Sequence, residues 1–296
     1  MPTVDNRIIE TLKRQQLVTE YIIYPFSDIE NYQINLSSVP SFSQEDVLVV
    51  SNNKILSHWA ESKGSVWVKI PKLIKNTPLK IYTLTGNPSA ITASNGKNVF
   101  IFFDDFSTDK GYTLNGGSYS VANGVLSYTG VSNGRGGIAP TTQLAETNYI
   151  VEAKMYAVDK GGAAAHGWAG VTGYQTAVAG FTGDLAFAGY SSSAYKVGAE
   201  NIAVDTTSTT ITFTFSNYYL IKGVFFSTNI TAVYNRTTSA NYGSQPFPAG
   251  GYFGIQTYDA DAVVDWFFVR KYISVEPIII KTRTLNKSLL LKELMR

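Results

Sequence analysis

The sequence predicts an all-β protein, in which a small N-terminal β-module precedes an antiparallel β-sandwich or jelly roll, with a short helix at each terminus. Short apolar or alternating stretches recur from Val18 to Tyr272, with Gly, Pro and Asn turn signals between them. Charged residues make up only 16% of the chain, whereas it holds 19 Tyr and 25 Gly, which is typical of strands with polar, uncharged surfaces. Helical periodicity is confined to the two ends.

The length of 296 residues is enough for about two domains. We predict an N-terminal helical segment over 1–20, an accessory β-module over 21–95, a β-sandwich over 99–275, and a C-terminal tail with a short helix over 276–296. Within the sandwich, Asn123-Gly124 lies between two strand patterns and predicts a hairpin turn of the type that needs positive φ.

The overall composition excludes several classes of protein. The chain has no cysteine, which excludes disulfides, thiolate metal sites and cysteine nucleophiles. A net charge of +2 is too small to indicate a nucleic-acid partner. We find no window that approaches the roughly 20 apolar residues of a membrane-spanning helix, so membrane insertion is not expected. The polar N-terminus lacks the apolar core of a signal peptide, and secretion by that route is not expected.

The N-terminal module resembles the family called domain of unknown function 2341, which occurs in archaeal and bacterial surface proteins. The matching pieces lie between about residues 21 and 95, in the order Tyr32–Ile34, Ile55–Glu61, Val66–Pro71, Ile81-Tyr82 and Gly86–Pro88. The opening strand is shorter than the family pattern. Because the family has no established activity, the resemblance implies an accessory role.

The second domain resembles a concanavalin A-like lectin/glucanase domain of the laminin-G type, over about residues 100 to 277. Asp104–Ser107 looks like its opening strand, Ser118–Val121 with Gly124–Leu126 like its first hairpin, and Asp265–Tyr272 like its closing strand. The two families often occur in this order in archaeal surface proteins. The resemblance implies ligand or carbohydrate binding, or structural use, and the fold alone does not choose between them.

We predict no catalytic residues. A glucanase on this fold needs carboxylates in the pattern Glu-x-Asp-x-x-Glu on one strand, and the nearest set, Asp259, Asp261 and Asp265, lacks a Glu. The two histidines, His58 and His166, are more simply explained as surface or hydrogen-bonded residues than as members of a Ser-His-Asp triad. The sequence Gly134–Gly137 indicates a turn rather than a phosphate-binding loop.

Ca²⁺ is the one cofactor that the sequence leaves open. Asp104 and Asp105 on the first strand of the sandwich, and Asp265 on the last, would supply the oxygen ligands that this ion prefers, because first and last strands commonly pair in such folds. The alternative is that these carboxylates only cap strand ends. No other cofactor is required.

Carbohydrate binding needs flat aromatic faces beside hydrogen-bonding groups. The candidates are Trp168, Tyr174, Tyr190, Tyr195 and Tyr242, with Asn201 and Tyr258 as further loop residues. Core packing is the competing interpretation, for Trp168 in particular. Acceptor sequences for N-glycosylation favour an outward-facing glycoprotein, and they occur at Asn35, Asn229, Asn235 and Asn286.

These observations favour a non-enzymatic structural or adhesive protein on the surface of a virion or an archaeal cell, which binds glycans or glycoproteins and self-associates through its terminal segments. Two alternatives stay open. One is a glycan-active enzyme or the carbohydrate-binding module of one. The other is a filament subunit that joins its neighbours by strand addition.

Overall fold

In a computed structural model the protein consists almost wholly of β-strands, and the predicted all-β class is confirmed. The structure describes residues 17–37, 39, 47–62, 65–85, 94–160, 166–175, 183–191, 194–201, 206–227, 229–243 and 251–285. The predicted terminal helices lie largely outside these residues. Where the predictions overlap the described chain they are wrong, because a strand begins at Leu17 and Leu285 ends another. No described helix is long and apolar enough to cross a membrane.

The described elements, in chain order, are as follows. The first strands are β1 (Leu17–Tyr24), β2 (Ile29–Ser37), β3 (Leu48–Ser51), β4 (Lys54–Ile55), β5 (His58–Ser62), β6 (Ser65–Leu73) and β7 (Leu79–Thr85), followed by the helix α1 (Gly96–Val99). The next are β8 (Phe102–Asp104), β9 (Tyr112–Asn115), β10 (Ser118–Ala122), β11 (Val125–Thr129), β12 (Arg135–Pro140), β13 (Tyr149–Asp159), β14 (His166–Gln175) and β15 (Asp184–Ser191). The last are β16 (Ala194–Asn201), β17 (Thr206–Thr210), β18 (Tyr219–Phe226), β19 (Asn229–Tyr234), β20 (Thr238–Gly243), β21 (Tyr252–Tyr258), β22 (Ala260–Lys271) and β23 (Ile278–Leu285).

The chain divides into two compact units. The first comprises Met1–Ile101 together with Ile273–Arg296, and the second is Phe102–Tyr272. The separate C-terminal tail predicted over 276–296 is therefore wrong for its described part. Strand β23 pairs antiparallel with β1 and completes a sheet of the first unit, with Leu285 buried in an apolar cluster there and Ile278 and Ile280 exposed.

The first unit contains two antiparallel sheets. Its five-stranded sheet has the order β23-β1-β7-β3-β4, and its three-stranded sheet has the order β2-β6-β5. Alternate residues of both sheets meet in one apolar core, with Tyr21 and Ile81 from the larger sheet and Ile34 and Val68 from the smaller. This core is what the alternating pattern of Val66–Ile70 predicts, since successive strand residues face opposite sides.

The second unit is a two-layer antiparallel sandwich. One sheet has eight strands, in the order β10-β11-β22-β13-β18-β19-β20 with β8 paired to β22. The other has seven strands, in the order β17-β16-β15-β14-β21-β12-β9. The inner faces of both sheets form the main core, to which the larger sheet contributes Val151 and Phe267 and the smaller Val171, Ala186 and Phe253.

The start of the second unit differs from the prediction. The resemblance placed the opening strand of the sandwich at Asp104–Ser107, but the strand is Phe102–Asp104, and residues Gly96–Val99 before it form the short helix α1. The side chain of Asn95 caps this helix by accepting a hydrogen bond from the Lys97 amide, 3.0 Å away. By contrast, the predicted hairpin turn is confirmed, since Asn123 and Gly124 have φ values of 54° and 72° between β10 and β11.

Candidate functional site

Five neighbouring strands of the seven-stranded sheet present a surface on the side away from the sandwich core. Ala169, Val171, Ala186 and Ala188 face the core, so the residues that alternate with them face outward. Strand pairing aligns these outward residues into three rows. The first row is Arg135, Tyr258, Trp168, Gly189 and Lys196; the second is Gly137, Gln256, Gly170, Phe187 and Gly198; the third is Gly254, Thr172, Leu185 and Glu200. We call this surface the outer face.

The centre of the outer face is a platform of aromatic rings. The ring centroids of Trp168 and Phe187 are 5.0 Å apart with an angle of 31° between the ring planes. Those of Trp168 and Tyr258 are 5.9 Å apart at 34°. Leu185 completes this apolar cluster, which is separate from the main core. The three rings come from adjacent strands and are tilted only moderately; Trp168 and Phe187 are 2% and 1% exposed, and Tyr258 is half-buried.

Two glycines make room for this platform. A Cβ atom at Gly198 would lie 2.3 Å from Cζ of Phe187, so the Phe187 ring lies directly over Gly198. Gly189 has a φ of 149°, and a Cβ there would lie 2.4 Å from the carbonyl oxygen of Gly167. Both positions therefore require glycine, one for packing and the other for backbone conformation and packing together.

An ion pair crosses above the platform. Nη2 of Arg135 on β12 contacts Oε1 of Glu200 on β16, and the guanidinium carbon of Arg135 lies 5.4 Å from the centroid of the Trp168 ring. Strands lie about 4.8 Å apart, so β12 and β16 would be about 19 Å apart in a flat sheet. The two side chains cannot span that distance. The sheet must therefore curve towards its outer face, which makes this face concave.

Several polar atoms of the outer face are buried without a hydrogen-bond partner. Oε1 of Gln256, whose side chain is only 1% exposed, accepts no hydrogen bond within the described chain. The same holds for Oε1 of Gln175, which lies beside Thr172, and for Nη1 of Arg135. A buried polar group without a partner costs about 1–3 kcal/mol. The outer face thus has two oxygen atoms that need donors and one nitrogen that needs an acceptor.

The predicted carbohydrate-binding aromatics do not lie at one place. Trp168 is in the aromatic platform, but its ring is only 2% exposed. Tyr174 faces the sandwich core, where its hydroxyl donates a hydrogen bond to the Thr147 carbonyl oxygen. Burial raises the pKa of this hydroxyl, and the charge of Asp184 raises it further. The prediction that Tyr174 offers its ring to a sugar is therefore wrong.

Tyr190 and Tyr195 lie together at one end of the sandwich. Their ring centroids are 5.6 Å apart, and Tyr195, which is 38% exposed, stacks on Phe213 with a centroid distance of 5.7 Å. These rings are outside the platform and close the end of the main core. Tyr242 is half-buried and packs against that core from β20. The side chain of Asn201 lies outside the described part of the structure.

The three aspartates that were candidates for Ca²⁺ do not form a site. Asp104 is fully buried and accepts hydrogen bonds from the Tyr112 hydroxyl at 2.5 Å and Lys110 Nζ at 2.9 Å. Asp105 is exposed and accepts from the Ser107 amide. Asp265 pairs with Lys154 at 2.5 Å. No group of three or more His, Cys, Asp or Glu that could hold a metal occurs in the described ranges.

The carboxylates considered for catalysis hold loops in place. Asp259, between β21 and β22, accepts a hydrogen bond from the Asn133 amide at 2.9 Å, and Asp261 accepts from the Gly130 amide at 2.8 Å. His58 is buried in the first unit, with its ring nitrogens 2.9 Å from the carbonyl oxygens of Leu56 and Val47. The side chain of His166 is outside the described residues.

The predicted glycosylation positions differ in exposure. Asn229 and Asn235 are exposed. Asn35 lies half-buried on β2, and its amide donates a hydrogen bond to Ser65 Oγ at 2.9 Å. Asn286 is outside the described residues. Modification at any of them stays a prediction.

Sequence reasoning missed most of the polar residues of the outer face. Arg135 lies in Gly134–Gly137, which we interpreted as a turn, but Arg135–Pro140 is strand β12. Glu200, Gln256 and Phe187 were not singled out. The available signal was the alternation in Leu185–Ala188, where the two alanines face the core and Leu185 and Phe187 face the opposite side.

A comparison with protein families finds one match, in the N-terminal part of the chain. Residues 43–115 match the family model of the domain of unknown function DUF2341. The resemblance stated from the sequence is confirmed, but its bounds are shifted: the match omits β1 and β2 and extends through β9 of the second unit. No curated protein matches the chain.

Several solved structures are similar to this chain, all with TM-scores below 0.5. One is a carbohydrate-binding module, CBM66, from Bacillus subtilis, which is 17% identical in sequence. The match covers 54% of this chain and 96% of that module, with a TM-score of 0.44. A protein of unknown function with a galectin-like fold, also from Bacillus subtilis, has 9% identity, coverages of 60% and 96%, and a TM-score of 0.45. A mutant of the GH43 protein BlXynB from Bacillus licheniformis has 16% identity, coverages of 74% and 46%, and a TM-score of 0.41.

Proposed function

We propose that the protein binds glycans, without hydrolysing them, on the concave outer face of its second unit. The observation that supports this most directly is the set of unpaired polar atoms around an aromatic platform. Oε1 of Gln256 and Oε1 of Gln175 need hydrogen-bond donors, and Nη1 of Arg135 needs an acceptor. A sugar hydroxyl is both donor and acceptor, so a polyhydroxylated ligand satisfies both needs. An inorganic anion would supply acceptors only.

The aromatic platform supports the same class of ligand. Flat rings offer a surface for the C–H groups of a sugar, and planar polar groups beside them fix its orientation. In the present arrangement Arg135 covers Trp168, so a ligand would first meet the guanidinium, the Glu200 carboxylate and the half-buried Tyr258. A sugar that bonds to Arg135 and Glu200 together would move the ion pair aside and gain access to the ring.

A binding role fits the outer face better than hydrolysis. Glycoside hydrolysis with a protein acid and base generally needs two carboxyl groups about 5 to 9.5 Å apart. Within the described positions of the three rows, Glu200 is the single carboxylate. The proposal also includes location on a cell or virion surface and self-association. A glycan ligand supports both of them only indirectly.

Titration calorimetry against soluble glucans, xylans, mannans and fructans tests the proposal. Arg135→Met keeps an unbranched stem over Trp168 but removes the guanidinium, and we expect it to weaken binding about tenfold. Lys72→Met, on an exposed position of the first unit, is the matched control and should bind as the wild type does. Thermal unfolding of each variant checks that the fold is retained.

Three results would contradict the proposal. If no glycan of the panel binds, or if Arg135→Met binds as well as the control, the outer face is not the site. If the wild type releases reducing ends from any of the glycans and Glu200→Gln abolishes that release, the protein is an enzyme rather than a binding protein.

A further inference from the structure

A second cation lies in the first row of the outer face. Lys196 is half-buried on β16, and its neighbours across the sheet are Gly189 and then Trp168. Because Gly189 has no side chain, nothing in this row stands between the lysine and the platform. The backbone of Arg135 lies in the same row on the opposite side of Trp168, but its guanidinium reaches over the ring to Glu200, so one cation lies above the ring and the other beside it.

The charges of this surface are not balanced. Glu200 pairs with Arg135, and it is four residues from Lys196 along β16, a separation of about 13 Å. No ion pair or hydrogen bond involves the Lys196 ammonium in the described part of the chain. The three charged side chains of the rows therefore sum to a net positive charge, with an unpaired ammonium and a buried, unpaired Nη1 of Arg135.

We infer that the glycans held on the outer face are acidic, with a carboxylate or sulfate group that binds between Lys196 and Arg135. This inference rests on the proposed glycan binding and names the class of sugar. A ring lying on Trp168 places its substituents towards both ends of the first row. An anionic substituent at the Gly189 end would meet the ammonium of Lys196 in a partly buried setting, where a charge-assisted hydrogen bond is strong. A neutral hydroxyl there would gain much less.

Matched pairs of polymers separate this inference from glycan binding in general. Titration calorimetry would compare polygalacturonate with its fully methyl-esterified form, and dextran sulfate with dextran. We expect the acidic member of at least one pair to bind about tenfold more tightly at low salt, and that advantage to shrink as NaCl is raised. The pair that shows the difference identifies the acidic group.

Lys196→Gln tests the residue itself. It should abolish most of the preference for the acidic polymer over its neutral partner, because it removes the ammonium that the acidic group would meet. Lys72→Gln removes the same charge from the first unit and should retain the preference. Equal affinity within both pairs, or an unchanged preference in Lys196→Gln, would overturn the inference while leaving glycan binding in place. Failure of every polymer to bind would remove both proposals.

Discussion

Replacing Gln256 by Met should make the protein more stable and its ligand binding weaker. The Gln256 side chain is 1% exposed, and its Oε1 accepts no hydrogen bond from the described residues. The unpaired buried oxygen costs about 1–3 kcal/mol, and methionine has nearly the same length and volume without it. We expect Gln256→Met to raise the free energy of unfolding by about 1 kcal/mol, which corresponds to a rise of about 2–4 °C in Tm.

The same substitution removes an acceptor that a sugar hydroxyl would use. A lost hydrogen bond of this kind weakens binding by about tenfold. Scanning calorimetry measures the first effect, and titration with the best glycan of the panel measures the second. Thr19→Val is the control, because it removes a buried, unpaired hydroxyl from β1 of the first unit. It should increase stability without changing binding.

The outcome for Gln256→Met can refute the reasoning in two ways. A loss of more than about 1 kcal/mol in stability would show that the amide is hydrogen-bonded in solution and has a structural role. A gain in stability with unchanged binding would show that the amide is unpaired but takes no part in the site. Only opposite changes in stability and affinity support the proposed role.

Two further predictions concern packing and charge. Gly198→Ala brings a Cβ to within 2.3 Å of the buried Phe187 ring. We expect the free energy of unfolding, measured by thermal unfolding, to fall by about 1–3 kcal/mol and glycan binding to weaken. Wild-type stability in this variant would contradict the packing argument. Burial alone would raise the pKa of the Glu20 carboxyl, but hydrogen bonds from Thr282 and Arg283 lower it below the usual 4.5. This stabilisation is therefore present above about pH 4.5 and is lost as the pH falls further. The difference in the free energy of unfolding between wild type and Glu20→Gln, measured by urea unfolding, should shrink between about pH 5 and 3. A constant difference would contradict this prediction.

Features that depend on neighbouring residues could be predicted from the sequence. The Asn123-Gly124 hairpin turn needs only positive φ at two adjacent residues, which these residue types adopt readily. Features that depend on distant partners could not. The strand Ile278–Leu285 pairs with Leu17–Tyr24 from the other end of the chain, and its own sequence does not reveal that partner.

The charged part of the candidate site was hidden for the same reason. Arg135 and Glu200 are brought together only because the sheet curves and three strands between theirs align in register. Neither residue belongs to a local motif. Trp168 could be proposed from its side chain alone, because a tryptophan beside polar groups fits a sugar site wherever it lies. The sequence thus indicated one ring of the platform but not the polar groups around it.

The direction in which an aromatic side chain faces depends on backbone details that composition does not contain. Trp168 and Tyr174 lie six residues apart on β14, and regular alternation would place both on the outer face. The pairing with β21 shifts register between Thr172 and Gln175, and Tyr174 has a φ of 54° within this bulge. As a result Tyr174 turns into the core, and Gln175 joins Thr172 on the outer face, where its Nε2 donates to the Thr172 hydroxyl. The bulge therefore replaces an aromatic ring with a buried amide at this end of the concave surface, and it supplies one of the unpaired oxygen atoms on which the proposed glycan binding depends.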